Sequence, residues 1–102
     1  MSPIPAPRLC CLARPASLPP WGFQLTGRPT SPGRCLVSAV EADSPASRAG
    51  LRLGDRLVEV DGEHVGLENH WQVVARVERA GERVKLLVVD PACDEVKIRY
   101  QK

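Results

Sequence analysis

No apolar run in this 102-residue chain approaches the roughly 20 residues a helix needs to cross a bilayer, so direct membrane insertion is not expected. The opening stretch, "MSPIPAPRLCCLARPASLPP", lacks the long apolar core of a secretory signal, and a cytoplasmic location is expected. An excess of one charge is also missing. Against 12 acidic residues stand 14 basic ones, a net +2 spread along the chain. With no Lys/Arg block and no arginines interleaved with aromatics, nucleic acid is not an expected partner. The four cysteines, Cys10, Cys11, Cys35 and Cys93, contain no C-x-x-C pair. Adjacent Cys10 and Cys11 would point to opposite faces of a strand, which speaks against a shared metal. No metal or other cofactor is expected, and the cysteines read as reduced thiols, some of them core filler.

The constellations of catalysis are absent as well. No serine stands in a G-x-S-x-G elbow, and neither His64 nor His70 is tied by spacing to a nucleophile and an orienting acid. There is no P-loop, no G-x-G-x-x-G and no H-E-x-x-H. No catalytic residue is assigned, and the chain is not expected to be an enzyme.

What is present is the pattern of one small domain. Eight of the ten prolines fall in the first 32 residues. Residues 1–7 read as a flexible proline-rich lead, 8–90 as the domain, and 91–102 as an extension or tail. Arg8 to Arg14 suits a short strand. Trp21 to Thr26 alternates, with Phe23 and Leu25 on one face and Gln24 and Thr26 on the other. Arg28 to Arg34 reads as a turn-rich loop, and Cys35 to Val40 as a strand. Ser44 can cap a short helix with Pro45 at its first position and Gly50 at its left-handed exit. Arg56 to Val60 is a strand closed by the tight-turn pair Asp61-Gly62. Val84 to Val89 should be a central strand. Asn69 to Ala80 is the one good amphipathic helix: Asn69 caps, Gln72 completes a capping box, and Gly81 suits the exit. The fold class is therefore α+β, mainly β: a small antiparallel sheet or partly open barrel of five to six strands, with two helices.

His70 falls on the apolar stripe formed by Val73, Val74, Val77 and Ala80. As the first helical residue it meets the positive end of the helix dipole, which opposes protonation. A neutral imidazole keeps one nitrogen free to accept a hydrogen bond, here at the mouth of an apolar groove lined by Val74 and Val77. A partly buried ring bonded locally is the plainer alternative. The strand Phe23 to Thr26 is the best candidate for the other wall. A strand with a free edge pairs with an extended peptide, and the turn Trp21-Gly22-Phe23 can present successive N–H groups to an anion. A peptide C-terminus supplies both the strand and the anion.

These residues resemble a PDZ domain. The family's G-L-G-F carboxylate loop matches Pro20-Trp21-Gly22-Phe23. The stretch "SPASRAGLRLGDRLVEVDGEHV" (44–65) matches the segment from short helix to strand, and "ENHWQVV" (68–74) the start of the groove helix. The match covers about residues 8–90. Within PDZ domains, "RLCCLAR", "GDRLVEVDGEHV" and "VKLLVVDP" are similar to the Na+/H+ exchanger regulatory cofactor family, cytosolic scaffolds beneath apical epithelial membranes.

The resemblance implies that the N–H groups of Trp21, Gly22 and Phe23 bind a peptide carboxylate. It makes Phe23, Gln24, Leu25 and Thr26 the pairing strand, and Phe23, Leu25, Val74 and Val77 the pocket for the last side chain. His70 would accept from a Ser or Thr two residues before the terminus, the class I preference. Arg14 is a possible water-mediated carboxylate contact. Ser38 stands where close relatives carry a basic residue, so a weaker acidic preference is expected. The implied partners are C-terminal tails of membrane transporters, channels or receptors, together with sister PDZ domains. Pro20 replaces the loop's first glycine without removing an expected donor. An assembly module with a blocked groove is the alternative function. A regulatory domain cut from a protease is a third reading that no motif supports.

Overall fold

A computed structural model of the chain describes residues 7–15, 20–28 and 31–90. The proline-rich lead up to residue 6, residues 16–19 of the proline loop, Cys93 and the 91–102 extension lie outside the described residues. The elements run β1 (Arg8–Ala13), β2 (Phe23–Arg28), β3 (Ser31–Val40), α1 (Pro45–Arg48), β4 (Arg56–Val60), β5 (Glu63–His64), α2 (His70–Arg79) and β6 (Arg83–Val89). The sheet is antiparallel and ordered β1-β6-β4-β3-β2, with β5 attached to β4. This is the predicted class and element order.

Alternation builds the inner face of the sheet. Cys10 and Leu12 of β1, and Val84, Leu86 and Val88 of β6, are buried while their neighbours along each strand are more exposed. Helix α2 closes over this layer with Val73 and Val77. Burial pushes the Cys10 thiol up, and pushes Cys35 up to about 11, so both are protonated core residues as the sequence suggests. Asp55 is fully buried and is held by charge. It accepts from Arg8 Nη2 at 2.8 Å and Nη1 at 3.2 Å, and from the Arg52 N–H at 2.9 Å. This ties the start of β1 to the loop before β4.

Local punctuation behaves largely as expected. Ser44 Oγ accepts from the Ser47 N–H at 3.1 Å, Pro45 opens α1, and Gly50 leaves it at φ +88°. Asp61 and Gly62 both have positive φ, 50° and 83°, as a tight hairpin between β4 and β5 requires. Gln72 Oε1 accepts the Asn69 N–H at 2.8 Å, the reciprocal bond of the capping box.

Strand β2 begins at Phe23, as the turn read at Trp21-Gly22-Phe23 implies, and Gly22 turns the backbone to φ +89°. Two expectations need correction. Strand β3 begins at Ser31, inside the stretch read as a loop. Pro32 and Gly33 fit there because the β2–β3 register is interrupted between Thr26 and Arg28, where a full ladder is not maintained. Gly81 is not a left-handed exit for α2: Ala80 leaves the helix extended at φ −69°, ψ 126°. The side chain of Arg14 reaches the carbonyls at this end instead, donating to Ala80 at 3.1 Å and Gly81 at 2.9 Å.

Candidate functional site

Strand β2 ends the sheet, and among the described residues no strand pairs with its outer edge. Helix α2 packs beside it. The two leave an open groove of about 460 Å³ between them. Its walls are Phe23, Gln24 and Leu25 from β2, Val74, Val77 and Glu78 from α2, and Arg14, Pro20, Trp21 and Gly22 at one end. Phe23, Leu25 and Val74 are half-buried and line the groove; Phe23 and Leu25 also pack against the core.

The loop at the closed end is fixed from behind. The Trp21 carbonyl accepts the Ala46 N–H of α1 at 3.0 Å, and the Gly22 carbonyl accepts the Glu41 N–H at 2.8 Å. In a trans peptide the N–H points opposite the carbonyl of the same plane. The N–H groups of Gly22 and Phe23 are therefore directed away from α1 and β3. Gly22 is required here twice over. Its φ is +89°, and an added Cβ would overlap the Ser44 Cβ and come within 2.5 Å of Ser44 Oγ. The Trp21 ring belongs to the core at 6% exposure, with the Arg14 guanidinium 3.8 Å from its centroid. Arg14 thus joins the end of β1, the loop and the end of α2. Pro20 is exposed and forms part of the groove wall; the groove remains open beside it.

His70 opens α2 as expected, one turn before Val74 on the same face, but it stands beyond the residues lining the groove. Its ring is half-buried and stacked on Trp71, with centroids 5.9 Å apart and planes 3° from parallel. Its Nδ1 is buried without a hydrogen-bond partner among the described residues. Thr26 and Ser38 also lie outside the lining. Ser38 is the exposed extra residue where the register shifts between Gln24–Ala39 and Leu25–Val37, so a β-bulge turns it out of the ladder.

The structure therefore gathers Arg14, Trp21, Gly22, Phe23, Gln24, Leu25, Val74 and Val77 into one groove, with His70 one turn further along the helix. Sequence reasoning missed Glu78, although its spacing of four from Val74 places it on the same helix face. The packing of Gly22 on Ser44 was also missed, and no local pattern announces it.

Comparisons with known proteins identify the fold and the family. The chain is 50% identical over 90 residues to the Na(+)/H(+) exchange regulatory cofactor NHE-RF1 of Gallus gallus, covering 88% of this chain and 26% of that protein. It is 44% identical over 89 residues to NHE-RF2 of Mus musculus, covering 87% and 26%. The chain thus spans about a quarter of the length of the curated relatives it matches. Among solved structures it is similar to a PDZ domain of choanoflagellate SHANK1 bound to a GIRK3 peptide. There the TM-score is 0.71 and the identity 32%, over 81% of this chain and 90% of that one. The second PDZ domain of Dlg1 from the choanoflagellate Monosiga brevicollis shares the fold, with TM-score 0.72 and 24% identity over 83% and 99%. The family model of the PDZ domain matches residues 36–90, more than half of the chain, and the chain belongs to that family.

Proposed function

We propose that the groove binds the C-terminus of a partner protein as an added strand of the sheet, with a class I preference, x-Ser/Thr-x-hydrophobic. The observation that carries this reading is the pairing of a free β2 edge with loop N–H groups turned away from α1 and β3 at the same end of one groove. A peptide running antiparallel to β2 satisfies the edge with its backbone. Its terminal carboxylate meets the N–H groups of Trp21, Gly22 and Phe23, where charge-assisted bonds are stronger than neutral ones. Its last side chain enters between Phe23, Leu25, Val74 and Val77. Alternation along the strand turns the third-last side chain to the same side, toward His70.

The buried Nδ1 of His70 leaves Nε2 as the nitrogen that accepts from a Ser or Thr hydroxyl. Thr26 lies further along the pairing strand, and exposed Ser38 borders it without a charge. This supports a weak preference for acidic upstream side chains. Arg14 is held to the α2 carbonyls and shapes the pocket end more than it contacts ligand.

The similarity to the regulatory cofactors supports a scaffold role beneath a membrane, with transporter, channel or receptor tails as partners and sister domains beside it. The peptide seen on the SHANK1 domain supports a channel tail as one such ligand class. An assembly module with a blocked groove is the competing reading, and the open volume of about 460 Å³ favours the first.

The test of class is His70→Ala against peptide pairs that differ only at the third-last residue, Thr or Ala. The Thr peptide should lose about 1 kcal/mol of binding, the net worth of a neutral hydrogen bond, while the Ala peptide is unchanged. Equal losses for both remove the class I assignment.

A further inference from the structure

We propose that Glu78 widens the ligand range of the last-residue pocket to long basic side chains, so that peptides ending in lysine or arginine bind alongside those ending in apolar residues. This rests on the peptide-binding reading above and names a ligand class for the same groove. Of the ten described residues lining the groove, two are charged, Arg14 and Glu78. The Arg14 cation is committed: it donates to the Ala80 and Gly81 carbonyls and lies over the Trp21 ring. Glu78 is exposed and makes no hydrogen bond or ion pair among the described residues. It follows Val77 directly and stands one helical turn after Val74. The uncommitted charge of the groove is therefore a carboxylate on the rim, above two valine walls.

Strand alternation turns the last side chain of a β2-paired peptide toward α2. A leucine there fills the apolar floor and stops short of the rim. A lysine lays its four methylenes along Val74 and Val77 and carries its ammonium up to the Glu78 carboxylate, the way long cationic side chains cover apolar surface while keeping their charge in water. The exposed rim limits this attraction to a few-fold in affinity and makes it sensitive to salt.

The test uses the full chain and fluorescence titration of free-acid peptides that share a Thr two residues before the end. Their last residue is leucine, lysine or Nε-acetyl-lysine. Acetyl-lysine keeps the stem and removes the charge. The wild-type chain should bind the lysine peptide about three-fold or more tighter than the acetyl-lysine peptide at low salt, an advantage that shrinks at 0.5 M salt. In Glu78→Gln the two should bind alike. Circular dichroism of the variant confirms the fold. Equal binding of lysine and acetyl-lysine peptides by the wild type, or an unchanged lysine advantage in Glu78→Gln, overturns the inference while leucine binding leaves the peptide-binding reading standing. Failure of all three peptides overturns the peptide-binding reading, and this inference with it.

Discussion

Replacing Gly22 with alanine imposes two separable costs on the fold. The first is the backbone: a residue with a Cβ held at φ +89° is disfavoured by about 1–2 kcal/mol. The second is contact. The new Cβ overlaps Ser44, whose Oγ caps α1 by accepting from the Ser47 N–H and donating to the Glu41 carbonyl at 2.7 Å. Moving Ser44 aside gives up a helix cap worth about 1 kcal/mol and strains a buried contact by a similar amount. Gly22→Ala should therefore destabilise the domain by about 3–4 kcal/mol.

Gly62 provides the internal reference. Its φ is +83°, and a Cβ there meets nothing within 4 Å, so Gly62→Ala carries the backbone cost alone, about 1–2 kcal/mol. Urea titrations followed by circular dichroism give both values, provided the slopes match the wild type. Adding Ser44→Gly to Gly22→Ala should recover part of the excess, because it removes the atom that Gly22→Ala strikes. If Gly22→Ala costs no more than Gly62→Ala, the loop is not braced on Ser44, and the fixed orientation of its N–H groups loses its physical basis.

Asp55→Asn should cost about 3 kcal/mol in the same titration, since it breaks a fully buried carboxylate's pair with Arg8 and leaves that site half-satisfied. A loss under about 1 kcal/mol contradicts the role given to this pair. Hydrogen bonds from Arg76 hold the Glu68 carboxyl below its ordinary range. A depressed carboxylate stabilises the fold above its unfolded-state pKa, and that stability fades as pH falls through its folded value. The stability gap between wild type and Glu68→Gln should therefore be full at neutral pH and close on acidification through and below the usual carboxylate range; a gap independent of pH contradicts the ion pair.

The fold was legible wherever one residue's local geometry decides an element. Ser44-Pro45 with Gly50, Asp61-Gly62 and the Asn69–Gln72 box each act over three or four residues, and each mark stands where the sequence put it. The alternation of Phe23 to Thr26 separates half-buried Phe23 and Leu25 from exposed Gln24 and Thr26, although Gln24 also lines the groove. What escaped the sequence depends on contacts between distant segments. Arg14 ends α2 from 66 positions away, which made the glycine exit at Gly81 unnecessary. Trp21 buries its ring where its N–H alone had been of interest. The early start of β3 depends on the pairing of Arg28 with Ser31 across an irregular register, which proline and glycine composition does not reveal. Glu78 was hidden by its type, since a glutamate four residues after Val74 falls outside an apolar stripe and draws no notice until the groove beside it is seen.

The central claim is that the turned-out N–H groups of the loop capture a terminal carboxylate. Isothermal titration of one peptide ending in Thr-x-Leu, as the free acid and as the C-terminal amide, tests it most directly. The free acid should bind and the amide should be weaker by about 1.5–3 kcal/mol, the worth of hydrogen bonds to a charged group. Equal affinities for the two forms would contradict the account.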